Sequence, residues 1–146
     1  EAFHLLGEHG DVALRAQALI GLGNARYTDD EHTREQWYLN AIDLLVEHGD
    51  VNLRAQALIG LGNARHIDDH HRHNADWYLD AIDLLGEHGD VNLRAQALIG
   101  LGNFYSSKRQ NREALRYFQF AHRIAPTREL KSKAQHGINR VRRYLN

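Results

Sequence analysis

Residues 47–63 read EHGDVNLRAQALIGLGN, and the same seventeen letters stand again at residues 87–103. Residues 8–24 repeat them with one change, Ala13 in place of Asn52. Asp11, Asp50 and Asp90 are spaced 39 and then 40 residues apart. Self-similarity at such a period is the mark of a repeat array. In such an array each unit is a small piece of supersecondary structure that buries its apolar face only against its neighbours. This feature constrains the fold more than length or composition does.

Within one unit, apolar residues recur at helical spacing; in the first copy they are Val12, Leu14, Ala18, Leu19, Leu22 and Ala25. The spacing predicts first helices over residues 12–27, 51–66 and 91–106. Gly10, Gly49 and Gly89 stand where a left-handed helix stop is wanted. Asp11, Asp50 and Asp90 follow as N-caps, so Gly-Asp is expected to be a turn between helices. Each first helix holds two glycines (Gly21 and Gly23, Gly60 and Gly62, Gly100 and Gly102). A glycine costs about 1 kcal/mol relative to alanine inside a helix, so its retention implies close approach of a neighbouring helix backbone. A polar loop follows, and Thr33-x-x-Gln36 reads as a capping box opening the second helix. That helix carries Trp37, Tyr38, Ala41, Leu44 and Leu45, then Trp77, Tyr78, Ala81, Leu84 and Leu85, and in the third copy Tyr117, Phe118, Ala121 and Ile124, before Pro126 blocks continuation. The expected division is residues 1–10 as the end of a preceding unit's second helix, units over 11–49, 50–89 and 90–126, and a C-terminal helix over 127–146. This last helix has Leu130, Ala134, Ile138, Val141 and Leu145 on one side and basic residues on the other.

The third unit resembles the tetratricopeptide repeat, whose pattern Leu-Gly-x-x-Tyr, Ala, aromatic, Ala, Pro is met by Leu101, Gly102, Tyr105, Ala114, Phe118, Ala121 and Pro126. Leu98 takes the place of the family's Trp. The first two units keep the Leu-Gly pair, Tyr38 and Tyr78, and Ala41 and Ala81. They put Arg34 and Asn74 where the family has Ala, and Arg26 and Arg65 at the Tyr position, so looser packing is expected there. A forty-residue period with Gly-Asp and Leu-Gly-Asn is similar to a subgroup found in spindle-orientation adaptors and bacterial regulators. Near-identity between units points to recent duplication or engineering. The resemblance implies an all-α, right-handed solenoid of helical hairpins with a capping helix at its C-terminus. It further implies that the first helices line a concave groove, which by position would show Gln17, Ile20, Asn24 and Tyr27, then Gln56, Ile59, Asn63 and His66, then Gln96, Ile99, Asn103 and Ser106. Gln and Asn both donate and accept hydrogen bonds and suit an extended peptide backbone; the competing reading is that the Asn residues bond within the protein. The family's clamp for chaperone C-termini needs a lysine where Ile20, Ile59 and Ile99 stand, which argues against that ligand.

The expected function is therefore a scaffold that binds a protein or peptide segment. The alternative is a structural, self-associating module, since residues 1–103 carry 7 Lys+Arg against 17 Asp+Glu while residues 104–146 carry 11 against 2. Opposite charge at the two ends would favour head-to-tail association of copies through an open N-terminal end. With no cysteine, disulfides and thiolate metal sites are excluded. The densest histidine cluster, His66, His70, His71 and His73, is a weak metal candidate, because it lacks a recognised ligand spacing, and no cofactor is expected. Arg15, Arg54 and Arg94 are read as pairing with neighbouring turns. No phosphate loop, nucleophilic cysteine or HExxH is present, so an enzyme is not expected. The basic stretch of residues 108–143 lacks a regular aromatic interleave, which makes nucleic acid an unlikely partner. Neither a signal peptide nor an apolar run of membrane-spanning length is visible, and a cytoplasmic location is the expectation. Methionine is absent, so Glu1 is expected to begin a fragment, a processed product or an engineered chain.

Overall fold

The computed structural model describes the backbone of residues 7–25, 31–48, 50–64 and 74–145, and their side chains except at 7–11, 25, 31–33, 47, 48 and 74. Among these residues the chain is all-α, with no strand. Its helices are α1 (Gly7–Ala25), α2 (Glu31–His48), α3 (Val51–Ala64), α4 (Asn74–Leu85), α5 (Val91–Ser107), α6 (Asn111–Ile124) and α7 (Arg128–Arg142). Each helix packs on its neighbours in sequence, α1, α3, α5 and α7 also touch in succession, and no other pair of described helices meets.

The aspartates open two of these helices as the sequence leads one to expect. Asp50 Oδ1 accepts from the backbone N–H of Asn52 at 2.9 Å and of Leu53 at 3.2 Å. Asp90 Oδ1 accepts from Leu93 N–H at 3.1 Å. Such a cap stabilises a helix by about 1 kcal/mol. Thr127 does the same for α7, accepting from Leu130 N–H at 3.2 Å.

Four expectations are corrected. Gly10 and Asp11 form no turn, because α1 runs straight through them. Glycine weakens a helix without forbidding it, and no described element precedes α1 for a turned-back helix to pack on. The capping box is not formed. Helix α2 already begins at Glu31, which puts Thr33 inside it, and Gln36 Nε2 donates to Asn40 Oδ1 at 2.8 Å along the helix instead of reaching back. The left-handed stop after α4 is Gly86, with φ +59°, not Gly89. Val46 occupies the matching place in α2, and that helix runs on to His48; a β-branched residue has no easy access to positive φ. Gly89 instead lies against the backbone of Leu85, where a Cβ would have no room. Gly49 falls outside the described residues. Finally, α5 extends one residue beyond the expected span, to Ser107.

The helix glycines do accept a close neighbour, but the neighbour is an aromatic ring and not a backbone. The Tyr38 ring lies over Gly23 of α1 and Gly60 of α3; Tyr78 lies over Gly62 of α3 and Gly100 of α5; Phe118 lies over Gly102 of α5 and Gly137 of α7. A Cβ at Gly62 would stand 2.7 Å from Tyr78 Cε1, and one at Gly102 would stand 2.6 Å from Phe118 Cε1. Every even-numbered helix thus sends one ring between the two odd-numbered helices flanking it. Around these rings Ala41, Leu45, Ala55, Leu61, Ala81, Leu101, Ala114 and Ala121 are buried. Arg34 is half-buried where Ala114 of the third unit is fully buried. Helix α7 buries Leu130, Ala134, Gly137, Ile138 and Val141 and leaves its basic residues largely outside.

Gly21 stands apart, since no described atom lies within 4 Å of a Cβ placed there. Gly60→Ala and Gly100→Ala are expected to destabilise the fold by about 1–3 kcal/mol through overpacking. Gly21→Ala should stabilise it by roughly 1 kcal/mol through helix propensity. Denaturant unfolding of the three variants checks this, and equal effects at all three positions would remove the ring contact as the reason for the glycines.

Candidate functional site

The rings seat on opposite sides of α3 and of α5, and one side between them carries the exposed Gln56, Asn63, Gln96 and Asn103. Three cavities lie along this side. The first, about 380 Å³, is lined by Asn24, Gln56, Ile59, Asn63, Asp90, Asn92 and Gln96 among others. A second, about 650 Å³, shares Ile59, Asn63, Asn92 and Gln96 with it and adds Ile99, Asn103, Thr127, Glu129, Leu130 and Lys133. A third, about 360 Å³, shares Ile99, Asn103 and Lys133 and adds Ser132, His136, Gly137 and Arg140. The shared residues make them one trough that runs from the end of α1, across α3 and α5, to α7.

Of the residues expected in a groove, Asn24, Gln56, Ile59, Asn63, Gln96, Ile99 and Asn103 are brought together here. Gln17 is exposed and Ile20 is buried in the core, and neither lines the trough. Ile59 is buried too and offers only an edge, whereas Ile99 is half-buried. Ser106 is half-buried near the end of α5 and lines none of these cavities. Tyr27, His66, His70, His71 and His73 lie outside the described residues. Among the described residues no group of three or more His, Asp or Glu could hold a metal ion, and no helix is long and apolar enough to cross a membrane.

The asparagines have an internal task as well as an outward face. The Tyr38 hydroxyl donates to Asn24 Oδ1 at 2.6 Å, and the Tyr78 hydroxyl donates to Asn63 Oδ1 at 2.5 Å. Tyr78 is buried, and burial alone pushes its hydroxyl pKa well above the ordinary phenol range. The bond supplies the partner that a buried hydroxyl needs. With the carbonyl oxygen so engaged, each of these asparagines, exposed in the trough, has its –NH₂ as the remaining polar group.

The third unit solves the same problem differently. Phe118 has no hydroxyl to offer. Arg140 of α7 lies with its guanidinium 5.8 Å from the centre of the Phe118 ring and donates from Nη2 to Asn103 Oδ1 at 3.1 Å. The sequence reading missed Arg140. The available signal was the exchange of Tyr for Phe at residue 118, which leaves Asn103 without the donor its counterparts have. The repeated arginine Arg94 donates to the backbone carbonyl of Glu87 at 3.1 Å, so it braces the turn as expected, through a carbonyl instead of a carboxylate.

The trough changes character along its length. Asp90 stands near its α1 end, while Lys133, His136 and Arg140 stand at its α7 end. Lys133 pairs with Glu129 at 3.5 Å, an exposed contact of little energetic weight. No family model matches the chain, and no curated protein matches it in sequence.

Asn63→Ala removes the acceptor of a buried hydroxyl and is expected to destabilise the fold by about 1–3 kcal/mol; Tyr78→Phe in the same background should recover part of that loss. The folded state holds the Tyr78 proton, whereas the unfolded chain gives it up above about pH 10. The stability is therefore fully present below that pH and falls as pH rises beyond it. Tyrosinate absorbance during alkaline titration, with Tyr78→Phe as the reference, reads this directly.

Proposed function

We propose that the chain is a right-handed α-solenoid of three tetratricopeptide-like hairpins capped by α7, and that it acts as a scaffold holding an extended peptide segment of a partner protein along the trough. The single observation that carries this reading is the continuity of the three cavities, with a glutamine or an asparagine at matching places on successive helices. An extended strand offers alternating N–H and C=O groups. The –NH₂ groups of Asn24 and Asn63 would donate to its carbonyls, and the exposed Gln56 and Gln96 would both donate and accept. Ile99 and the edge of Ile59 supply apolar contact between them. Lys133, His136 and Arg140 at the α7 end favour acidic side chains or a terminal carboxylate there. The acidic residues that also line the trough, Asp90 and Glu129, speak against a nucleic-acid phosphate backbone.

The test uses peptides selected from a displayed random library against the intact chain. Gln56→Ala with Gln96→Ala should weaken a selected peptide by about tenfold or more, the sum of two modest hydrogen bonds, and leave the unfolding transition in place. Replacing Asn24, Asn63 and Asn103 together should abolish binding, but with a loss of stability, because two of them also hold tyrosine hydroxyls. Peptides that bind the double glutamine variant as tightly as the parent would remove the trough as the site.

A further inference from the structure

The first helices carry the same residues but do not bury them alike. Ala57 and Leu61 of α3, and Ala97 and Leu101 of α5, are each 0% exposed. Their counterparts in α1, Ala18 and Leu22, are exposed, Leu22 at 37%. Gly60 and Gly100 each receive a tyrosine ring from the helix before them, Tyr38 of α2 and Tyr78 of α4. Gly21, their counterpart in α1, is exposed and receives nothing from the described residues. Ala18, Gly21 and Leu22 follow at i, i+3 and i+4, so they share one face of α1. Beside that face lies a cavity of about 610 Å³, lined by Arg15, Ala18, Leu19 and Leu22 of α1 and by Asn40, Asp43 and Leu44 of α2.

The chain itself displays twice what covers such a face. In both instances it is a helix reading Trp-Tyr-Leu-x-Ala-Ile-x-Leu-Leu, whose Tyr enters the glycine and whose Ala and second Leu are buried: Tyr38, Ala41 and Leu45 in α2, and Tyr78, Ala81 and Leu85 in α4. We propose that the exposed face of α1 around Gly21 is a docking socket for an amphipathic helix of this pattern, supplied by a different protein and not by a second copy, whose own α2 and α4 are already seated, with an aromatic ring on Gly21, a small residue three positions later against α1, and a leucine four positions after that. The socket lies on the side of α1 that faces away from α3 in the chain order, and its occupant is a helix, so it is distinct from the trough and its extended ligand. Its specificity is steric. Only a partner that presents a flat ring to the bare backbone at Gly21, with alanine one turn on, can approach as closely as α2 approaches α3. The rim charges Arg15 and Asp43 would orient it.

A fluorescently labelled peptide spanning residues 74–88, which is α4 with its turn, is titrated with the intact chain and followed by anisotropy. Saturable binding is expected. It should weaken by roughly tenfold or more with Gly21→Leu, which fills the ring's seat, and likewise with Ala18→Glu, which puts a charge on the face. Neither variant should lower the unfolding midpoint, since both positions are exposed. The peptide carrying Tyr78→Ala should bind as weakly to the parent chain. Undiminished binding by both chain variants would mean that the peptide enters the trough or displaces α4, and would overturn the proposal. Absence of saturable binding would overturn it as well. A chain that dimerises on its own, loses the dimer with Gly21→Leu and excludes the peptide would assign the face to a second copy, with the same consequence.

Discussion

An aromatic ring held between two glycines is the contact on which the rest of this structure depends. A ring can lie flat on a helix backbone only where Cβ is missing, and here the bare position is provided on both sides, by Gly23 and Gly60 for Tyr38, by Gly62 and Gly100 for Tyr78, and by Gly102 and Gly137 for Phe118. A buried aromatic brings some of the largest apolar area of any side chain, which offsets the roughly 1 kcal/mol that each helix glycine costs. Because each ring touches the helix before it and the helix after it, the contact sets the spacing within a pair and between pairs at once. It is the reason that neighbours in sequence are neighbours in space throughout, and that α1, α3, α5 and α7 lie next to one another.

That contact also governs the trough. Seating the rings on opposite sides of α3 and of α5 leaves Gln56, Asn63, Gln96 and Asn103 on the side between them, in a repeated arrangement. The tyrosine hydroxyl emerges beside the asparagine that follows its glycine, and the resulting bond turns the amide's donor end outward. Core packing and surface chemistry are therefore coupled through one hydroxyl in each of the first two units, and through a guanidinium in the third.

Much of this was legible in the letters. The helical spacing of apolar residues, the N-cap aspartates at 50 and 90 and the apolar stripe of α7 are local signals, and the local chemistry they report survives in the fold. The glycine pairs were legible as sites of close approach, but not as seats for rings. Nothing in the spacing within α3 says that Tyr38, more than twenty residues earlier, reaches Gly60. The helix ends were read less well. The Gly-Asp pair means a turn only where a helix on the other side of the turn packs back, so the same letters give a break before α3 and α5 and continuous helix in α1. Gly86 went unnoticed because the repeat does not keep it in every copy: position 7 is Gly but position 46 is Val, and Gly86 ends α4 where α2 runs on. At the trough, residue type and register located the asparagines, whereas the burial of Ile20 and Ile59 depends on neighbours that no single helix encodes.

The exchange of tyrosine for phenylalanine at residue 118 has a consequence for how such a chain can change its number of units. A copy with a tyrosine-bearing helix answers its own asparagine with the hydroxyl and hands its successor only the ring, so units of that kind can be gained or lost with these contacts preserved. The unit that ends in Phe118 instead has its asparagine answered from behind, by Arg140. A hairpin inserted after it would have to evict α7, and Asn103 would lose the Arg140 donor with no hydroxyl at residue 118 to replace it. Lengthening of the array is thus chemically directional: it is tolerated ahead of the third unit and opposed behind it.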